Sequence, residues 1–535
     1  MELGVLLAAL AAAYVLYCFF RPKAGLQLPP GPRRMPIIGN LLDLPPTGKQ
    51  EWQHWLKHKA LYGPLSSISI FGTTLVIIND RNLALEILEK RSAKHSSRPD
   101  TVFADEIDQI LIRIENSVGW GKAPSSQDNT SLLRQYRKAM ARIIGSRSSM
   151  SKFDGMLEVE ARRFLWRVLN HPKDFVNHTR TAAGAFILKI TYGYNIEPHL
   201  SDPLVSLADL ALQQFSASVV PGAWLVDMVP FLKHLPEWAP GAGFKKTARF
   251  YAHTLTRLVE EPFAFTKSQM ADENHNSFTA NLLQQGEDDE IVKWSSVALY
   301  SAGADTTVSA LQGFYLAMML HPEVQRKAQA ELDQVLGKNV FPSVADRDRL
   351  PYINAVVKEA LRWHTVAPLG LPHKTDQDDV VNGHLIPKGA LLLANIWSFN
   401  NDPEAYNDPS VFNPERYLLD SASTTAPDPY NVSFGFGRRL CPGRLVADIS
   451  LFLTISHTLA VFNITKPLNK DGQEVESSVN FTPGIISHPE EYECVFTPRS
   501  NEHREHVLEF ERNHPFEKGD APYLKEVLKE RQTLA

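Results

Sequence analysis

Apolar and polar positions along this chain recur with two different periods, and the periods mark out its elements. Across residues 156–285 apolar side chains return every three or four positions, the spacing that lines one face of a helix. The pattern breaks at Val220-Pro221-Gly222 and at Pro240-Gly241-Ala242-Gly243. Similar spacing predicts helices over residues 82–90, 131–144, 323–336, 352–364 and 445–459. Residues 293–320 predict the longest mostly apolar helix after the N-terminus. A hairpin is predicted over residues 65–78 around Gly72, and Asn382-Gly383 marks a second one. A turn at Ile386-Pro387-Lys388-Gly389 leads into a short strand at 391–396. Residues 98–129 carry neither period and predict a long loop. The fold class is therefore mainly α with a minor β region, and without repeats the body forms one unit.

The N-terminus is apolar all round. Leu3 to Phe20 carry no charge, and a helix of that length spans about 27 Å, enough for a bilayer core. Tyr14, Tyr17, Phe19 and Phe20 cluster at its far end, where an aromatic belt lies, and Arg21 and Lys23 follow. The positive-inside rule then leaves everything after residue 21 in the cytoplasm. A cleaved signal peptide would begin with basic residues and end in small ones, and this segment does neither. The expected division is a transmembrane anchor at 1–21, a proline-rich hinge at 22–40, a body at 41–499 and a charged tail at 500–535. Leu28-Pro29-Pro30-Gly31-Pro32 stiffens the hinge into a spacer. The tail, rich in Glu, Lys, Arg and His, is expected to be solvated, with one helix near 523–531. Residues 223–238 are unusually apolar: a core segment, or one that dips into a membrane surface or lines a substrate entrance.

The chain has 535 residues and a net charge of -5, which gives no reason to expect a nucleic-acid partner. Its three cysteines, Cys18, Cys441 and Cys494, offer neither a disulfide framework nor zinc-ligand spacing. Cys441 stands out because Gly435, Gly437, Arg438, Arg439 and Gly443 surround it just ahead of a helix. A helix N-terminus and adjacent guanidinium groups favour thiolate over thiol. In the long apolar helix, Ala302-Gly303-Ala304-Asp305-Thr306-Thr307 removes bulk and adds a carboxylate, which is costly there without a partner or a task. Glu359 and Arg362 share a helix face at i,i+3, and Asn413-Pro414-Glu415-Arg416-Tyr417 follows downstream.

The pattern Phe-x-x-Gly-x-Arg-x-Cys-x-Gly at Phe434 to Gly443, with the other motifs in the same order, resembles the cytochrome P-450 family, microsomal type, over residues 28–499. Pro351-Tyr352, Pro372-His373 and Pro498-Arg499-Ser500 look like fungal members that act in secondary metabolism. The resemblance implies haem b held between the long central helix and a cysteine loop, with Cys441 as the axial metal ligand. It implies Arg439, His373 and Arg137 at the haem propionates and Phe434 packed against the ring. Asp305 and Thr306 would deliver protons to bound oxygen, while Glu359, Arg362 and Arg416 would form a buried network supporting the haem loop. The implied activity is a monooxygenase inserting one oxygen atom from O2 into a lipophilic molecule, its electrons coming from NADPH through a reductase. Arg134, Lys138, Arg438 and Arg444 would face that reductase. The implied setting is the endoplasmic reticulum membrane, single-pass, with a monomeric cytosolic catalytic unit. Family members usually carry Trp four residues before Arg137; here Leu133 stands there, one propionate donor fewer. Two rival readings are a thiolate-haem isomerase, dehydratase or peroxygenase that does not activate O2, and a non-catalytic membrane haemoprotein.

Overall fold

A computed structural model describes residues 26–99, 101–106, 119–219, 224–270, 276–418, 426–476 and 478–534. The anchor expected at Leu3 to Phe20 lies outside them. Helix α1 (Glu51–Tyr62) precedes the hairpin of β1 (Leu65–Ile70) and β2 (Thr73–Ile78). Phe71 and Gly72 turn that hairpin, both with positive φ. The hinge does not stand clear of the body. Ser67 of β1 donates its N–H to the Pro30 carbonyl at 2.8 Å and its hydroxyl to the Pro29 carbonyl at 2.6 Å. A Cβ on Gly31 would lie 1.8 Å from the Ser67 carbonyl oxygen, so only glycine allows this approach.

Helices α2 (Ser131–Ile144), α3 (Asp154–Asn170), α4 (Phe175–Tyr192) and α5 (Pro203–Val219) follow, then α6 (Phe244–Gln269) and α7 (Asp289–Leu320). Asp288 caps α7 by accepting the N–H groups of Glu290 and Ile291 at 2.9 and 3.3 Å, which starts the helix four residues before the apolar pattern does. Helix α7 runs through the middle of the molecule, packed on α2, α4, α5 and α6 and on the later helices. Next come α8 (Pro322–Val335) and α9 (Pro351–Trp363), the short strands β3 (His373–Lys374), β4 (Asp379–Val381), β5 (His384–Ile386) and β6 (Leu391–Ala394), and α10 (Arg444–Val461). The main sheet has the order β1-β2-β6-β3, with β2 and β6 parallel and the other pairs antiparallel. Asn382 and Gly383 close β4 onto β5 with positive φ at both, as that dipeptide predicts. Strands β7 (Phe462–Thr465) and β8 (Val495–Pro498) pair at the end of the body. Among the described residues only α10 is long and apolar enough to cross a bilayer, yet most of it is buried against α3, α7, α8 and α9.

Residues 500–534 differ from the solvated tail that their charge predicts. They form α11 (Asn501–Asn513) and α12 (Ala521–Leu534). Helix α11 lies on α3 and α12 on α6, burying Val507, Phe510, Leu524 and Val527. Phe516, between them, contacts the rings of Trp166 and His199 and the guanidinium groups of Arg163 and Arg167. Asn195 and Asp520 exchange two backbone-anchored hydrogen bonds, and Lys189 pairs with Glu517 at 2.9 Å. The charged faces turn outward, so composition hides a buried seam. Ending the chain after Arg499 is expected to cost roughly 5 kcal/mol of stability from the four buried side chains alone. A thermal melt of the truncated protein checks this.

Five imidazoles are buried among the described residues of the body, His95 being one, its pKa lowered chiefly by desolvation. Desolvation pulls His364, His373 and His457 down to about 3 and His58 to about 4, from an ordinary 6.5. The unfolded chain therefore binds protons between about pH 3 and 6.5 that the folded chain does not. Folding stability is expected to be complete above about pH 6.5 and to fall steadily on acidification below it. A denaturant titration across that range measures the slope, and His457→Phe, which removes one such group beside the Phe341 ring, should reduce it.

Candidate active site

The Cys441 loop is built by backbone. A short helix at Tyr430–Ser433 ends at Phe434, whose carbonyl accepts the Cys441 N–H at 2.8 Å and closes the loop. Gly435 and Gly437 both take positive φ. A Cβ on Gly437 would come within 2.7 Å of the Leu88 carbonyl oxygen and 2.6 Å of the Ser92 Cβ, so this turn must be glycine. The Gly437 N–H donates to the Glu89 carboxylate at 2.6 Å. Phe434 packs its ring against Tyr430 at 5.4 Å. The Tyr430 hydroxyl donates to Asp448, which Arg347 holds bidentately at 2.5 and 2.7 Å.

Cys441 is half-buried. Desolvation is the largest influence on its thiol and pushes its pKa up, against a Gly443 N–H bond and the nearby Arg137 and Arg444. The backbone N–H and the guanidinium groups thus act in the direction the sequence predicts, and burial opposes them. Arg438 is exposed, and Arg439 is turned away to other partners.

Those partners define the most unusual feature of the site. Arg439, 8% exposed, donates to the Ser96, Pro124 and Gln127 carbonyls. Arg98 is as buried and donates to Ser125, Leu371 and Pro372 carbonyls at 2.9, 2.8 and 2.7 Å. Among the described residues neither guanidinium forms an ion pair with a carboxylate, although the charges of Asp128 and Asp376 reach Arg439. Burial and mutual repulsion pull Arg98 down to about 9. Burial, then the charge of Arg137, brings Arg439 to about 10. Arg137 reaches the loop itself, donating to the Leu440 carbonyl at 2.7 Å. His373 lies beside Arg98 and Arg439, its Nδ1 2.6 Å from the His95 carbonyl oxygen. Buried cations with no paired carboxylate among the described residues make a site for an anion.

Arg98 belongs to this cluster without having been picked out by the sequence. It sits where the predicted long loop begins, and only the packing of that loop on the β3 region brings it to Arg439. Leu133, where a propionate donor was missing, is simply buried in the core.

On α7, the Thr306 hydroxyl donates to the Ala302 carbonyl at 2.8 Å, the back-bond that a mid-helix threonine favours. Ala302 is exposed although both neighbouring turns of α7 are largely buried, so an internal space opens there. Gly303 does not face that space: a Cβ on it would lie 3.0 Å from Ile187 of α4. The Asp305 carboxylate meets the His488 Nε2 at 3.2 and 3.3 Å.

Behind the loop, Glu359 and Arg362 are fully buried and form a two-pronged pair at 2.7 Å for each bond. Arg362 also donates to the Asn400, Pro409 and Val411 carbonyls. Arg416 joins Glu359 at 3.4 Å and bonds the Asn407 and Asp408 carbonyls. The Asn413 N–H adds a fourth contact to the carboxylate at 2.8 Å. Asn400 carries the network toward the cysteine loop through Ser433 at 3.5 Å.

A cysteine on a glycine-braced loop, a notched central helix and this Glu-Arg-Arg knot agree with comparison to known proteins, in which the cytochrome P-450 model matches residues 29–496. The chain belongs to the cytochrome P-450 family. The cytochrome P-450 monooxygenase claR of Ampulloclitocybe clavipes is 43% identical, over 89% of this chain and 87% of that protein. The cytochrome P-450 monooxygenase ppsD of Aspergillus oryzae is 42% identical over 93% and 94%. The O-methylsterigmatocystin oxidoreductase of Aspergillus flavus is 41% identical over 96% of each. As a cytochrome P-450 the chain is a haem-dependent monooxygenase supplied with electrons by a reductase. The residues present fit haem. Two propionates would give Arg98 and Arg439 charged acceptors beside their carbonyl partners.

Proposed function

We propose that Cys441 is the axial ligand of the haem iron and that Arg98, Arg439, Arg137 and His373 hold its propionates. The observation that carries this reading is the pair of buried guanidinium groups whose partners among the described residues are carbonyls. Bound haem, with a thiolate donor, supplies O2 activation and O–O cleavage. The protein's own residues do the rest. The Cys441 loop fixes the direction of the sulfur, and the Gly443 N–H tempers its electron donation. Ala302 leaves room beside α7. Thr306 and Asp305 hold and pass protons toward that space. The Glu359, Arg362 and Arg416 knot keeps the loop in place.

The reaction is insertion of one oxygen atom into a lipophilic small molecule, as hydroxylation or epoxidation, in fungal-type secondary metabolism. Relatives active in fungi support that setting, and apolar segments such as 366–371 suit a lipophilic substrate. The Asp305-Thr306 pair favours oxygen activation over the isomerase, dehydratase and non-catalytic alternatives. Arg134 and Lys138 are exposed on α2, and with Arg438 they offer a cationic face to an NADPH-dependent reductase. The body at 41–499 serves as a monomeric catalytic unit, anchored through Leu3 to Phe20 in the endoplasmic reticulum membrane. Leu225, Phe231 and Trp238, the last 85% exposed, suit contact with that membrane rather than a core position. Incubation with NADPH, reductase and isotopically labelled O2 should place one labelled oxygen in product. Product whose added oxygen comes from water, or turnover without NADPH, would defeat the reading.

A further inference from the structure

The carboxylate in the middle of α7 does not stand alone. Asp305 meets the His488 Nε2 through both oxygens, at 3.2 and 3.3 Å, and the other ring nitrogen, Nδ1, lies 3.1 Å from the Gln312 Oε1. Both nitrogens of this imidazole are therefore engaged, Nε2 by the carboxylate and Nδ1 by the Gln312 amide. His488 is held firmly from behind. Its N–H donates to the Thr482 hydroxyl at 2.9 Å, and the preceding Ser487 carbonyl accepts the Ser309 hydroxyl of α7.

The charged and titratable groups around the pair complete a line. Asp209 on α5 lies near both Asp305 and His488. Its carboxyl is held above the usual range by burial, with Asp305 adding to the rise and Arg180 and His488 opposing it. Arg180 on α4 approaches Asp209 at 3.7 Å. His364 on α9, the remaining neighbour, is fully buried and bonds the Ser309 hydroxyl at 2.8 Å. Meanwhile the Thr306 hydroxyl is engaged with the Ala302 carbonyl, so Asp305 takes its partner from outside α7.

We propose that His488 is the proton-supplying partner of Asp305, a positioning residue that recharges the carboxylate each time it gives up a proton. This rests on the reading of Asp305 as a proton carrier and goes beyond it by naming its source. The Nε2–H bond breaks and an O–H bond forms on Asp305. The imidazole, left neutral, regains its proton at Nε2 from solvent that reaches the pair, His488 being 21% exposed and Asp305 18%. Asp209 and Arg180 are the charged groups that flank the pair on the α5 and α4 side.

The test reconstitutes the full-length holoprotein with an NADPH-dependent reductase in phospholipid vesicles, without added substrate. NADPH consumed and hydrogen peroxide released are measured across about pH 6 to 8.5. With proton supply intact, electrons end mostly in water, and with it impaired they leave as peroxide. The wild-type peroxide share is expected to rise with pH. In His488→Gln it should be about tenfold higher relative to water and nearly flat with pH. That is less than the roughly 10²–10⁴ of a positioned proton donor, because solvent still reaches Asp305. His488→Lys keeps a cation against Asp305 but holds its proton too tightly, so it should fold normally and still show the raised, flat peroxide share. A second readout needs no turnover. Thermal melts of His488→Gln, Asp305→Asn and the double variant should show coupling between the sites at about pH 6 that vanishes by about pH 8.5. Wild-type partition and pH profile in His488→Lys or His488→Gln, with Asp305→Asn impaired, overturns the proposal alone. If Asp305→Asn also behaves as wild type, the underlying reading of Asp305 fails with it.

Discussion

Cys441→Ala is expected to remove the thiolate-type absorbance band of the reduced, CO-bound protein and to cut NADPH-dependent oxygen insertion on the order of 10⁴-fold or more, the scale of losing an essential group. The fold should survive the change. The loop closes through the Cys441 N–H and the Phe434 carbonyl, which alanine keeps, and Gly435 and Gly437 hold their turns without the sulfur. Far-ultraviolet circular dichroism should therefore match wild type while the spectral band is gone. A retained band would move the iron ligand elsewhere and end the assignment of this loop. Cys494 is no substitute, being buried with its thiol pKa pushed up by desolvation alone.

Glu359→Ala is expected to destabilise the protein by about 3–5 kcal/mol, the cost of leaving a buried charge without its partner. Arg362 would lose both prongs of its pair, Arg416 its ion partner and the Asn413 N–H its acceptor. Replacing Glu359 and Arg362 together by leucine should not recover the loss. Arg362 also satisfies the carbonyls of Asn400, Pro409 and Val411, and an apolar side chain would orphan all three. Arg362→Lys fails for a related reason, since a single ammonium cannot fork to Glu359 and reach those carbonyls at once. Chemical denaturation measures stability, and haem content per chain measures the effect on the loop. Normal stability of Glu359→Ala would show that the knot is decoration.

How much could be read beforehand follows from how local each feature is. The helix at Ser131–Ile144 has the bounds its apolar spacing predicts, and Asn382-Gly383 turns the hairpin its conformational preference demands. The knot of Glu359, Arg362 and Arg416 was legible because the motif residues are fixed in short, recognisable strings. Arg98 was not, because its role comes from a loop folding back on residues more than 300 positions away, with no periodic mark in the sequence. His488 escaped for the same reason, lying in an irregular closing segment that only packing brings against α7. Gly303 was read as room for a flat cofactor, but helical geometry turns it toward Ile187 and gives the opening to Ala302. The charges and the backbone donor beside Cys441 are visible in its loop motif, whereas the burial that opposes them comes from packing.

The closing helices also bear on how the molecule is made. Glu517 meets Lys189 across 328 positions of sequence, and Pro515 meets Arg163 across 352. Translation delivers the catalytic body first and its final seam last. Until residues 521–534 emerge, the α6 surface that Leu524 and Val527 cover stays open. The growing chain thus passes through a stage when the catalytic body is made yet still sticky, and expression at lower temperature or with chaperones should raise its yield.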